Sequence, residues 1–230
     1  MDNIDAKTIR TITLETIIVA LLFLISVALF VFLTHQVVKG VDPWFDSKAF
    51  DFFRRHTTPS RVTFLRNISF LGSPLFLLPA YLLIIVWLAV KKRKYDAIDV
   101  TIVAVTATLL GRFLKWLIGR SRPDSPLFEA IGTNSFPSGH ALSSFIFCSV
   151  VIWLLWKSEW SIAAKWILSL LLLSLSFTIG ISRIVLRYHY ASDVVAGFCI
   201  GFTWVMLSLW VQKRIRKSIG NRQYPIGNRQ

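Results

Sequence analysis

The chain has 230 residues, 54% of them hydrophobic, a mean hydropathy of +0.59 and a formal net charge of +14. A composition this apolar excludes an ordinary soluble domain and puts the chain in the membrane class. The basic excess sits mostly at the ends of apolar segments, which suits lipid headgroups and argues against nucleic acid as a partner.

The first apolar run, Ile17 to Leu33, is long for a signal-peptide core, and Thr34-His35-Gln36 does not resemble a cleavage site. It reads as a retained membrane anchor. A helix crossing the hydrocarbon core needs ~20 mainly apolar residues. Six stretches fit: 12–34, 74–90, 97–118, 138–156, 161–184 and 193–212. They predict an all-α fold, a single integral membrane bundle of six transmembrane helices over residues 1–218. The polar remainder, 219–230, repeats Ile-Gly-Asn-Arg-Gln and reads as a disordered tail.

In the first connection, 35–73, Asp42-Pro43 has the form of a helix start, with a capping acid and proline at the first helical position. Phe45, Ala49, Phe52 and Phe53 then recur on one face, opposite Asp46, Lys48 and Arg55. The pattern predicts a short amphipathic helix, lying in the membrane interface or packing on the bundle. Cys148 and Cys199 fall inside apolar segments and read as small core hydrophobes.

Loop charges set the orientation. Lys7 and Arg10, the run Lys91 to Lys94, and Lys213, Arg214, Arg216 and Lys217 share one side of a six-span bundle. The positive-inside rule makes that side, with both termini, cytoplasmic. Lys39, Lys48, Arg54, Arg55, Arg61 and Arg66 in the first connection weigh against this assignment.

Ionisable groups near membrane helices are costly, so each is a functional candidate. On this topology Lys115, Arg122, His140, Arg183, His189 and Asp193 all come near the outer ends of the last four helices. Glu15, Asp99 and Lys165 lie near the opposite ends, where snorkelling accounts for them. Arg112, one turn before Lys115, supports the site or forms an ion pair.

Three segments carry chemistry. In Lys115-Trp-Leu-Ile-Gly-Arg-Ser-Arg122-Pro123, the proline disfavours helix at Arg122, so the helix ends around Gly119 and two cations meet at its exit. Pro137-Ser138-Gly139-His140 suits a helix start, whose free N–H groups and positive dipole end attract an anion. In the segment Ser182-Arg183 to Asp193, His189 and Asp193 are four apart and share a face if the stretch is helical. A carboxylate bonded to one ring nitrogen fixes the tautomer and leaves the other nitrogen free to attack.

Together these segments, within 115–193, resemble the signature of the type 2 phosphatidic acid phosphatase family: K-x6-R-P, then P-S-G-H, then S-R-x5-H-x3-D. Every fixed position is present with its internal spacing. The resemblance implies a lipid phosphatase working through a phosphohistidine on His189. Asp193 would orient His189, and His140 would protonate the leaving oxygen. Lys115, Arg122 and Arg183, with Ser138 and the Gly139 N–H, would hold the phosphate. It implies no metal and no cofactor. Three cations plus backbone N–H groups can stabilise the equatorial oxygens, and the sequence offers no carboxylate cluster to hold a metal. With both histidines working near neutral pH in opposite protonation states, a bell-shaped pH profile follows.

The implied partners are a lipid phosphate and membrane lipids, with no obligate protein partner evident. The active site would face the extracytoplasmic side of the cell membrane. Substrate candidates are undecaprenyl diphosphate, phosphatidylglycerophosphate, phosphatidate and a lipid A phosphate, with carrier-lipid diphosphate ranked first by a small margin. Two other readings remain open: a lipid phosphotransferase using the same phosphohistidine, and a non-enzymatic lipid transporter. The vanadium-dependent haloperoxidases, which share a similar anion pocket, are soluble and fit poorly with six apolar spans.

Overall fold

The computed structural model describes residues 6–124, 126–129 and 132–223, with side chains from Leu14 to Arg216 apart from Glu15. Among the described residues all regular structure is helical: α1 (Ala6–Val38), α2 (Trp44–His56), α3 (Pro59–Phe70), α4 (Pro74–Val90), α5 (Lys94–Ile118), α6 (Gly139–Trp156), α7 (Ile162–Val185) and α8 (Ala191–Gln223). The reading placed on Glu15 concerns a side chain outside those described, and the tail beyond Gln223 lies outside the described residues; up to Gln223 the chain continues as α8.

Five of these helices are long and apolar enough to cross a bilayer: α1, α5, α6, α7 and α8. The expected span at 74–90 is α4, which has only 17 residues. At 1.5 Å per residue it reaches about 26 Å, short of a hydrocarbon core of about 30 Å. Taken as one span with α3, which meets it at a 42° bend, the pair is long and apolar enough for a sixth crossing. The chain is thus a multi-span membrane protein.

Helix α6 lies at the centre of the bundle, packed against α5, α7 and α8, while α1 covers α8, α3 covers α7 and α4 covers α5. Leu88, Val100, Val103, Ala107, Leu142, Ile146, Val150 and Val205 form the main buried cluster between α4, α5, α6 and α8. The outward faces carry exposed Leu82, Leu83 and Val86 on α4, Ile102, Val105 and Leu109 on α5, and Ile167, Leu170 and Leu171 on α7. In water such a belt would be unfavourable; against lipid tails it needs no cover.

The connection 35–73 holds two short helices where the sequence predicted one. Helix α2 opens at Trp44 with Pro43 in the N-cap position, one residue later than Asp42-Pro43 suggested, and no side chain caps it. Asp42 bonds Arg120 instead. Phe45, Ala49 and Phe53 pack against buried Ala141, Ile184, Ala191 and Val194, as a helix docked on the bundle requires, while Phe52 points outward.

At the other end of the bundle, Asp96 and Asp99 are held by charge. Asp96 pairs with Arg93 at 2.8 Å, Lys157 at 2.7 Å and Arg216 at 3.1 Å, and Asp99 pairs with Arg216. Asp99 is buried, so an ion pair rather than the snorkelling read from sequence accounts for it.

Gly197 lets α8 cross the start of α6. A Cβ there would lie 2.8 Å from the Ser138 carbonyl oxygen and 3.0 Å from the Ala141 Cβ. Gly197→Val should therefore push the two helix starts apart, at about 1–3 kcal/mol for overpacking. The expected outcome is a lowered thermal midpoint with helix content retained by circular dichroism.

Candidate active site

The three sequence segments converge where α5 ends and α6 and α8 begin. Helix α5 stops at Gly119, whose left-handed φ of 69° ends the helix with its N–H on the Lys115 carbonyl. Lys115 therefore sits in the last turn, as the sequence predicted. Its Nζ donates to the carbonyl oxygens of Asn134 (2.6 Å) and Ser135 (3.1 Å). Asn134 Nδ2 returns a bond to the Lys115 carbonyl at 2.8 Å. A Cβ added at Gly139 would be 3.6 Å from the Lys115 Cε, so the cation borders the start of α6.

Arg122 lies beyond the helix in the α5–α6 connection. It donates to the Thr133 carbonyl (2.6 Å), the Thr133 hydroxyl (2.9 Å) and the Tyr188 carbonyl (2.6 Å). Its Nη1 also reaches His189 Nε2 at 3.3 Å. Arg183, in the last turn of α7, is buried; Nη1 donates to the Ser69 hydroxyl at 2.7 Å, the guanidinium lies over the Tyr188 ring, and Nε has no partner among the described residues. A buried guanidinium N–H without an acceptor is costly, which marks Arg183 as a candidate for a polar ligand.

Ser138 caps α6, its hydroxyl accepting from the Ala141 N–H at 3.5 Å. It is fully buried, and its own N–H donates to the Asp193 carbonyl at 2.9 Å. The turn thus ties the start of α6 to α8. His140 follows, half-buried beside Gly72, within electrostatic reach of Arg183, His189, Arg122 and Lys115.

His189 does not lie on a helix. The chain leaves α7 through Arg187, at a left-handed φ of 57°, and turns through Tyr188 to Tyr190 before α8 starts at Ala191. The turn brings His189 Nδ1 to 3.3 Å from Asp193 Oδ2, the pairing that helical spacing was expected to give. Arg122 can only donate, so its contact requires a lone pair on Nε2. The proton then sits on Nδ1, shared toward Asp193. Burial pushes the imidazole down to about 3, opposed by Asp193 and reinforced by the charges of Arg122 and Lys115. This departs from the near-neutral value expected for both histidines, because full burial was not visible in the sequence.

Asp193 is completely buried and fully bonded. Oδ2 accepts from the Tyr190 N–H (2.9 Å), from the Ser135 hydroxyl and from His189; Oδ1 accepts from Arg120 at 2.7 Å. Ser135, Arg120 and Ser69 were not singled out from sequence. Ser69 and Ser135 carry no spacing signal. Arg120 was visible as a third basic residue in the Lys115–Arg122 segment.

Residues 96–217 match the sequence model of the PAP2 superfamily. The chain is 28% identical over 154 residues to phosphatidylglycerophosphatase B of Bacillus subtilis (strain 168), covering 66% of this chain and 76% of that protein. It is 33% identical to a lipid A 1-phosphatase of Porphyromonas gingivalis over 118 residues, 50% of this chain but only 24% of that longer protein. The fold superposes on the crystal structure of a transmembrane PAP2-type phosphatidylglycerolphosphate phosphatase from Bacillus subtilis. The TM-score is 0.73 at 26% identity, over 83% of this chain and 96% of that one. The chain belongs to the PAP2 superfamily and is, by class, a multi-span membrane phosphatase.

The depressed imidazole value makes stability depend on pH. The native state holds His189 neutral, whereas the unfolded chain protonates it near 6.5. Its contribution is fully present above about 6.5 and is lost as pH falls toward 3. The thermal midpoint in detergent should fall between pH 7 and pH 4, and His189→Gln should flatten that slope.

Proposed function

We propose that the protein hydrolyses a lipid phosphate or diphosphate monoester through a phosphohistidine on His189, at a site facing the extracytoplasmic side of the membrane. The observation that carries this reading is the divided use of one imidazole. Nδ1 is engaged by the buried Asp193, and Nε2 directs its lone pair at the cation Arg122, the position an incoming phosphate oxyanion would take beside that cation.

In this reading the phosphate sits between Lys115, Arg122 and Arg183, with the Gly139 N–H at the start of α6 beneath it and Ser138 shaping that turn. His189 Nε2 attacks phosphorus in line, forming an N–P bond as the bond to the leaving oxygen breaks. His140 donates its proton to that oxygen, releasing the lipid alcohol or lipid phosphate. His140 then takes a proton from water. The resulting hydroxide attacks phosphorus, the P–N bond breaks, and inorganic phosphate leaves with His189 restored. Asp193 holds the tautomer and balances charge on the ring as it is phosphorylated.

Similarity to phosphatidylglycerophosphatase B and to a lipid A 1-phosphatase supports a membrane lipid as the carrier of the phosphate. Sidedness rests on the loop charges, with the basic clusters at Lys91 to Lys94 and Lys213 to Arg216 opposite the site. The class extends to undecaprenyl diphosphate and phosphatidate.

The test is phosphate release by the purified protein from a panel of these lipids. His189→Ala should abolish release, and Asp193→Asn should lower kcat by about 10³–10⁴-fold by favouring the wrong tautomer. Because His189 stays unprotonated far below neutral, the acid limb of kcat/KM should lie at low pH. Activity should decline on the alkaline side as His140 loses its proton. Near-normal release by His189→Ala, or activity rising continuously to high pH, would contradict the assignment. Labelled phosphate appearing on an acceptor lipid instead of as free phosphate would favour the transferase.

A further inference from the structure

We infer that Arg120 and Asp46 are positioning residues for the Asp193–His189 pair, so that α2, outside the signature, helps set the geometry and charge of the nucleophile. The inference rests on the proposed role of His189.

The Arg120 guanidinium is a two-sided fork. Nη1 donates to Asp193 Oδ1 (2.7 Å) and to the Ser192 hydroxyl (2.8 Å), both on α8. Nη2 donates to Asp42 (2.6 Å), just before α2, and to Asp46 (3.1 Å) on it. The Tyr190 ring covers the guanidinium, with the cation 3.9 Å from its centroid, and Phe50 of α2 packs on that ring at 5.7 Å. The Arg120 side chain is 7% exposed and that of Asp46 3%. Asp46 also accepts from the N–H (2.7 Å) and the hydroxyl (2.6 Å) of Ser192, the residue before the catalytic carboxylate. One carboxylate on α2 therefore fixes both the backbone at Ser192 and the guanidinium that grips Asp193.

The two oxygens of Asp193 have separate partners, Arg120 on Oδ1 and His189 on Oδ2. Rotation of the carboxylate would break both contacts, so Arg120 restrains the orientation of the imidazole. It also competes with His189 for the same negative charge. Without it, Asp193 would stabilise the imidazolium more strongly and raise the affinity of Nε2 for a proton. Asp46 has the opposite influence, since it neutralises part of Arg120. A lysine could not replace the fork, because one ammonium does not span both helices as a planar guanidinium does.

The experiment compares pH profiles of kcat and kcat/KM for purified full-length wild type, Arg120→Gln and Asp46→Asn in detergent, on a short-chain lipid phosphate. The other groups around His189 stay constant in the variants: Asp193 on α8, Arg122 in the α5–α6 connection, Lys115 on α5, His140 on α6 and Arg183 on α7. Both variants should lose about 10–100-fold in kcat with KM changed less than about threefold. Arg120→Gln should move the acid limb of kcat/KM up by about one pH unit, whereas Asp46→Asn should give no upward shift. If Arg120→Gln does not purify folded, Arg120→Lys should show the same loss in kcat with the acid limb near wild type.

Folded variants with wild-type kcat would overturn the inference. So would equal losses in Arg120→Gln and Asp46→Asn with identical pH limbs, which indicate a purely structural role; in the Arg120→Lys arm, which keeps the charge, a wild-type kcat overturns it. His189→Ala run in parallel separates the two levels. If it is inactive while Arg120→Gln matches wild type, only the positioning role fails; if it remains active, the phosphohistidine reading fails with it.

Discussion

The site depends on one carboxylate held entirely out of water. Burying an isolated carboxylate costs several kcal/mol even after relaxation, and the penalty is offset only when its lone pairs are met by donors of good geometry. Asp193 meets that condition through Arg120, the Ser135 hydroxyl, the Tyr190 N–H and His189. Its backbone carbonyl also accepts the Ser138 N–H. The same residue therefore fixes the His189 ring, the start of α6 and the connection from α5. Gly197, one turn further along α8, permits the close crossing on which this depends.

Charge is distributed differently at the two ends of the bundle. Around Asp96 and Asp99, carboxylates and cations neutralise one another in an ion-pair network. At the site, Lys115, Arg122 and Arg183 are held by carbonyl and hydroxyl oxygens, which orient a cation without cancelling its charge. The result is a fixed positive field beside a neutral imidazole, an arrangement suited to a phosphate dianion and to the charge that develops on its equatorial oxygens. The apolar outer faces of α4, α5 and α7 place that field in a lipid-facing protein.

Much of this was legible in the chain. The apolar runs located the crossings, because hydrocarbon thickness imposes a length, and the signature residues sit at helix ends where Pro123, Gly119 and Pro137-Ser138 mark the breaks. Other features were not legible. The division of 35–73 into α2 and α3 turns on Thr58-Pro59, an N-cap followed by proline at the first helical position, a signal present but not read. Asp46 appeared only as the polar face of an amphipathic helix, since nothing local shows that it meets Ser192 across 146 positions. Ser135 and Ser69 act through contacts that only the tertiary fold creates. His189 was expected to meet Asp193 through helical spacing, and a turn at Arg187 delivers the same contact by another route.

The central claim is that His189 Nε2 bonds covalently to phosphorus. Rapid acid-free quench of the purified protein during turnover, followed by peptide mass spectrometry, tests it most directly. A phosphoryl group, labile to acid and stable to alkali, should be found on His189 and should disappear as substrate is exhausted. Turnover at the normal rate with no phosphoryl group on His189 at any quench time, or with the group on another residue, would contradict the account.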